Sequence, residues 1–171
     1  MPPLYGGAPG AFPILAAVAQ PPARGCRIIR GSVWWPLLFW KWKQYRAAVA
    51  SGVVGVAPPN LASPLAPGVY FTDTASLQGC DSPSDFAARV ALSAQAQLDC
   101  HLFGCAVIEF DVPQNGTITL PPPLPGTVQG LTGGGGREWL LAGNLDLSVN
   151  MLVNYVERSP GGQPRHYHLP L

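Results

Sequence analysis

Gly68-Val69-Tyr70-Phe71-Thr72-Asp73 follows a Pro-Gly turn and reads as a β-strand, apolar and aromatic throughout. Ser82-Pro83-Ser84-Asp85 comes next and carries the signals of a helix start. Ser82 can cap, Pro83 takes the first turn, and Asp85 stands three residues after the cap, completing a capping-box pattern. Phe86, Ala87, Val90, Ala91, Ala94 and Leu98 then recur at three- and four-residue steps, which predicts one helix over about 83–99 with a single buried stripe. A strand feeding one main helix is the nucleus from which the rest of the chain is read.

Downstream, Ala106 to Val112 is a strand in which acidic residues interrupt apolar ones, and Asn115-Gly116 offers a hairpin turn to a short partner, Thr117 to Leu120. Pro121 to Gly136 is loop, ending in four glycines, and Arg137 to Leu141 and Asn150 to Glu157 read as further strands. Upstream, Cys26 to Val33 is a β-branched strand candidate, and Lys43 to Ser51 an alanine-rich helix closed by Gly52. Pro58 to Pro67, with four prolines, is loop. One main helix among about five strands, joined by long Pro/Gly loops, predicts an α+β fold with a mostly antiparallel sheet. Residues 1–24, with six prolines, read as a linker or arm, 25–158 as the domain, and 159–171 as an irregular tail.

Composition narrows the function. The 171 residues suit one domain. A hydrophobic share of 47% with 11% charged residues is the opposite of a disordered chain. A net charge of +1 lacks the basic surplus of a protein that binds nucleic acid by neutralising phosphates. Cys26, Cys80, Cys100 and Cys105 are too dispersed for a disulfide scaffold and read as buried thiols, with pairing left open if the protein is exported. No second ligand pair accompanies Cys100-His101 and Cys105, so no metal is expected. Val33 to Trp42 is too short, and too interrupted by Pro36 and Lys41, to span a membrane. Trp34, Trp35, Trp40 and Trp42 suit either an aromatic cluster, in the core or under a partner, or a membrane interface.

The glycine run Gly133 to Gly136 is no phosphate loop, because Arg137-Glu138 follows where Lys-Ser/Thr would be needed and the run opens a strand instead of a helix. Four glycines predict a mobile loop that presents Glu138 at the start of a strand. Glu109 and Glu157 lie in strands with no flanking signal, which leaves Glu138 as the best candidate for catalysis. His101 suits the end of the helix, as a partner of its dipole.

The stretch Gly68 to Ser76 resembles the Gly-hydrophobic-Tyr-Phe-Ala-Asp motif of poly(ADP-ribose) polymerases and the Gly-Leu-Tyr-Phe-Thr-Asp segment of bacterial ADP-ribosyltransferase toxins. Ile28-Ile29-Arg30-Gly31 is similar to the Arg-Gly strand of that superfamily, and Gly136-Arg137-Glu138-Trp139-Leu140 to its third motif. The order of the three, over Cys26 to Val156, fits as well. The sequence departs from the pattern in having Phe71-Thr72-Asp73 where one branch has Ser-Thr-Ser, and Gly136 where arginine-modifying enzymes have Glu or Gln. The resemblance implies a split β-sheet core and a transferase that uses NAD as a substrate, without metal, to pass ADP-ribose to a macromolecule, protein sooner than nucleic acid. It further implies Glu138 as the catalytic residue, and Arg30, Gly31, Tyr70, Phe71, Thr72 and Ser76 as the NAD-binding set, with Phe86 as a stand-in for a second stacking ring. A toxin module of an effector, delivered or cytoplasmic and opposed by a cognate inhibitor, is one form of this reading. Ordinary alternatives stand beside it: Tyr70 as a core aromatic, Arg30 as a strand-end charge, Thr72 and Ser76 as turn-formers, and the whole chain as a non-enzymatic module that docks through its Trp-rich segment 33–42.

Overall fold

A computed structural model describes residues 3–61, 68–148, 151–158 and 164–169, and the fold is α+β with two antiparallel sheets. Strand β1 (Arg24–Arg30) runs into a continuous helical stretch: α1 (Gly31–Val33), a π-helical segment (Trp34–Phe39) and α2 (Trp40–Ala50). After β2 (Gly68–Phe71) and a 3-10 turn (Ala75–Leu77) come α3 (Pro83–Arg89) and α4 (Ala94–Phe103). Strands β3 (Cys105–Asp111), β4 (Ile118–Thr119), β5 (Trp139–Ala142), β6 (Leu152–Arg158) and β7 (Pro164–Leu169) complete the order.

The larger sheet has the order β1-β3-β6-β7, and the smaller the order β2-β5-β4. Alternation along the larger sheet sorts its side chains into two cores. Ile29, Ala106, Ile108, Phe110, Val153 and Tyr155 face the smaller sheet's Val69, Phe71, Trp139 and Leu141. On the other face Cys26, Ile28, Cys105, Val107 and Val156 meet Phe86, Ala87 and Cys100 of α3 and α4. Burial on both faces explains why β3 reads as a nearly unbroken apolar run. Its one acid in the core, Glu109, accepts hydrogen bonds from the Tyr5 hydroxyl at 3.0 Å and the Asn154 amide at 2.9 Å. Those bonds tie the N-terminal arm to the sheet. All four cysteines are buried and free.

Several local expectations change in three dimensions. The first strand stops at Arg30, because Gly31 is pressed against the Phe103 carbonyl, where any Cβ would collide, and its N–H bonds the Gly104 carbonyl at 2.9 Å. The helix that follows absorbs Pro36, which lacks a donor, in a wide π turn. The Asn115-Gly116 hairpin does not pair its flanking strands, since β4 lies against β5 and not β3. The tail expected to be irregular contains β7, antiparallel to β6, so the sheet extends beyond residue 158. The Pro58–Pro67 loop and the start of the Asn150–Glu157 strand fall partly on residues 62–67 and 150, outside the described residues.

The capping box is formed as read: Ser82 accepts from the Asp85 N–H, and the Asp85 carboxylate accepts from the Ser82 N–H. The helix it starts is divided, however, by a turn at Val90 to Ser93. Ala91 adopts φ 53°, and Ser93 caps α4 by accepting from the Ala96 N–H. Leu98, expected in the buried stripe, is exposed as a result.

Among the tryptophans, Trp34 and Trp42 are fully buried, Trp35 is half-buried and Trp40 is 55% exposed. Trp42 also donates its indole N–H to the Ser148 carbonyl at 3.1 Å. Trp42→Ala is therefore expected to cost about 3–5 kcal/mol. Trp40→Ala, on the same helix, should stay within about 0.5 kcal/mol of wild type. Urea unfolding midpoints separate the two.

Candidate active site

The two sheets meet where Cys26 of β1 and the residue after β2, Thr72, exchange both backbone hydrogen bonds, at 2.8 and 2.9 Å. From that bridge β1 and β2 diverge into different sheets, and a cavity of about 290 Å³ opens between them. Arg27 and Ile28 form one side, Tyr70, Phe71 and Thr72 the other, and Arg137-Glu138 closes the end where the chain enters β5. The wall opposite is the turn Val90 to Ser93, so the break that divides the expected helix is part of the site.

Three groups in this cavity carry unbalanced polarity. Arg27 donates from Nη1 to the Tyr70 carbonyl at 2.7 Å, while its buried Nε has no partner among the described residues. No carboxylate pairs with it among the described residues. Burial draws the pKa of this guanidinium down from 12.5. Across the cavity the Glu138 carboxylate is partly buried and accepts no hydrogen bond among the described residues. Loss of hydration pushes its pKa above the usual 4.5. The Thr72 hydroxyl, also buried in the wall, is likewise without a partner among the described residues. The other two glutamates are engaged, Glu109 as above and Glu157 by the Tyr167 hydroxyl at 2.6 Å.

The backbone that presents Glu138 is held on several sides. Its N–H bonds the Gly130 carbonyl at 3.0 Å, and the preceding Arg137 N–H bonds Ser76 Oγ at 2.9 Å. The Arg137 side chain turns to Asp73 at 3.0 Å and to the Ala16 carbonyl at 2.9 Å. Arg89, buried at the end of α3, donates to the carbonyls of Ser76 at 2.8 Å, Gly134 at 3.0 Å and Pro13. Its own carbonyl accepts from Gly136 N–H and from Thr132 Oγ1. Gly134 lies so close to the Ala88 carbonyl that a Cβ would overlap it. The glycine run expected to be mobile is thus a close-approach loop, clamped by Arg89.

Tyr70, Phe71, Thr72 and Glu138 line the same cavity, and Ser76 is buried outside its lining. Phe71 borders the cavity but is buried, its ring stacked on Trp139 in the core, 5.7 Å between centroids. Arg30 and Gly31 are elsewhere. Arg30 is exposed at the far end of β1, and Gly31 is wedged against the α4 terminus. Arg27 stands in the cavity instead, about 10 Å back along the strand, and three residues in a strand also reverse the face. Phe86 is in the core between sheet and helices, not in the cavity. His101, in the last turn of α4, has both ring nitrogens within hydrogen-bond reach of Ser84 and Arg158.

Sequence reasoning missed Arg27, Arg89 and the turn at 90–93. Ser93 was a legible signal for the last, since a good N-cap residue stood inside the periodic stripe.

Desolvation of Glu138 has a stability consequence. With its folded pKa raised, ionisation disfavours the folded state, so the penalty is absent below the unfolded value near 4.5 and complete above the folded value. Glu138→Gln should therefore raise the thermal midpoint at pH 7, with the gain disappearing as the pH falls below 4.5.

Comparison of the chain with protein-family models, with curated proteins and with solved structures yields no match.

Proposed function

We propose that the chain is an ADP-ribosyltransferase-like enzyme that cleaves NAD at the nicotinamide–ribose bond and passes ADP-ribose to a macromolecular acceptor. One observation supports this above the others: a carboxylate and a guanidinium that find no hydrogen-bond partner and no counter-ion, respectively, among the described residues line one cavity between two diverging strands. The orphaned Arg27 Nε and Thr72 hydroxyl are the kind of buried donors that a phosphate or ribose oxygen would satisfy. A cavity of about 290 Å³ suits half of a dinucleotide, with the remainder reaching outward.

The reaction asks little covalent chemistry of the protein. The bond from the nicotinamide nitrogen to the ribose carbon breaks, its electrons leave with neutral nicotinamide, and the sugar carbon becomes cationic. The acceptor's nucleophile adds to that carbon and loses a proton. Glu138, poorly hydrated and without a partner among the described residues, stabilises the cation and can accept a hydrogen bond from a ribose hydroxyl. Such preorganised charge is worth most where water is excluded. Arg27 takes the anion-binding role that the sequence motif suggested for Arg30, and Tyr70 offers its ring as a wall for the nicotinamide. Ser76 and Arg89 act through the backbone that carries Glu138. The competing reading, docking through the Trp-rich segment, loses much of its motive with Trp34 and Trp42 in the core.

Release of nicotinamide from NAD by the purified chain, and transfer of labelled NAD to protein, test the proposal. Glu138→Gln should lower kcat by ~10²-fold or more with little change in KM. The acid limb of the wild-type rate profile should have a midpoint above 4.5, as expected of a carboxylate that must be ionised. A chain that consumes no NAD, or a variant as fast as wild type, would end the proposal. If the protein acts as a toxin, growth inhibition on expression should disappear with the same substitution. Arg27→Met should raise KM about tenfold or more through the lost charge-assisted bond, whereas Arg30→Met should leave both constants near wild type.

A further inference from the structure

Charge is distributed unevenly along the chain. Residues 1–72 contain six of the ten basic residues and no acidic one, and all nine acids lie at Asp73 or beyond. The helical stretch from Trp34 to Ala50 sits in the middle of that acid-free segment. Leu37, Trp40, Lys41, Gln44 and Ala47 recur along it at three- and four-residue steps and are all exposed, which places them on its outward face. Leu37 is 52% and Trp40 55% exposed, and the Lys43 ammonium lies 5.3 Å from the Trp40 ring. The segment that follows α2 adds Val53, Val56 and Val54, the last 95% exposed. Between this face and residues 56–60 is a cavity of about 380 Å³ lined by Lys41, Gln44 and Tyr45, all able to donate hydrogen bonds.

We propose that this face, from Leu37 to Val56, binds the surface of an anionic lipid bilayer. Lys41 and Lys43 stand beside the exposed Trp40 and Leu37, with exposed valines in the segment beyond the helix, and these are the residue types that seat in a bilayer interface. An interface with a folded protein would be depleted of lysine at its centre and would concentrate its apolar contacts in a packed patch. Here the exposed apolar side chains are spread along the helix and the segment beyond it, an arrangement that a fluid interface accepts without shape complementarity. The buried half of the aromatic cluster, Trp34 and Trp42, fixes the helix to the core so that Trp40 and Leu37 point outward. The cavity beside Lys41 gives a headgroup phosphate its donors. No helix among the described residues is long and apolar enough to cross a membrane, so the contact is one of lying on the surface.

The test is sedimentation of the whole chain with phosphatidylcholine vesicles, with and without phosphatidylserine. Binding should require phosphatidylserine and should weaken as salt shortens the range of the attraction. Each lysine near such a surface strengthens binding by roughly fivefold, so Lys41→Glu with Lys43→Glu should reduce it at least ~25-fold. Trp40→Ser and Val54→Ser should each reduce it too, with unfolding midpoints unchanged. Equal sedimentation with both vesicle types, indifference to the lysine substitutions, or no sedimentation at all would overturn the proposal. Saturable binding of an acidic peptide without any vesicle binding would assign the face to an acidic protein and overturn it equally.

Discussion

The reciprocal hydrogen bonds between Cys26 and Thr72 join two sheets whose strands otherwise separate. Backbone groups that leave a ladder must find other partners or water, because an unsatisfied buried amide or carbonyl costs on the order of 1–3 kcal/mol. Beyond this bridge the gap between β1 and β2 is bordered by side chains and not by a third strand. Arg27 answers part of the demand by donating to the Tyr70 carbonyl. The cavity and its unsatisfied groups are therefore a consequence of how the sheets are joined.

A second constraint is the burial of Arg89 without a counter-ion among the described residues. A guanidinium is tolerable there because three carbonyls receive its donors, one each from the N-terminal arm, the 3-10 turn and the glycine loop. One side chain thus makes the position of Glu138 depend on segments far apart in sequence. Glycines at 134 and 136 allow the loop backbone to approach the end of α3, which is their reason for being there. Conformational freedom in the unfolded chain and rigidity in the folded one come from the same residues.

Much of the fold is legible from local pattern. The Ser82 cap, Pro83 and Asp85 specify a helix start through contacts within one turn, and they form as read. Strands at Gly68, Ala106 and Trp139 follow from apolar runs bounded by turn residues. The failures have a common cause. β7 is polar enough to resemble a tail and becomes a strand only against β6, and β4 chooses β5 over the strand nearest in sequence. Pairing partners are decided by which edge is free and which face needs cover, and neither quantity is written in a local window.

The same division holds for the site. Residue order alone placed a glutamate beside a glycine loop and an aromatic strand, and it sorted every acid into the second part of the chain. Tertiary structure decided that Arg27 and not Arg30 enters the cavity, that Phe86 belongs to the core, and that two of the four clustered tryptophans face inward. Chemical type and charge are properties of the residue, carried wherever it goes. Which neighbours a side chain meets depends on strand register, on the hand of each alternation and on where two sheets part, and those exist only once the chain has closed on itself.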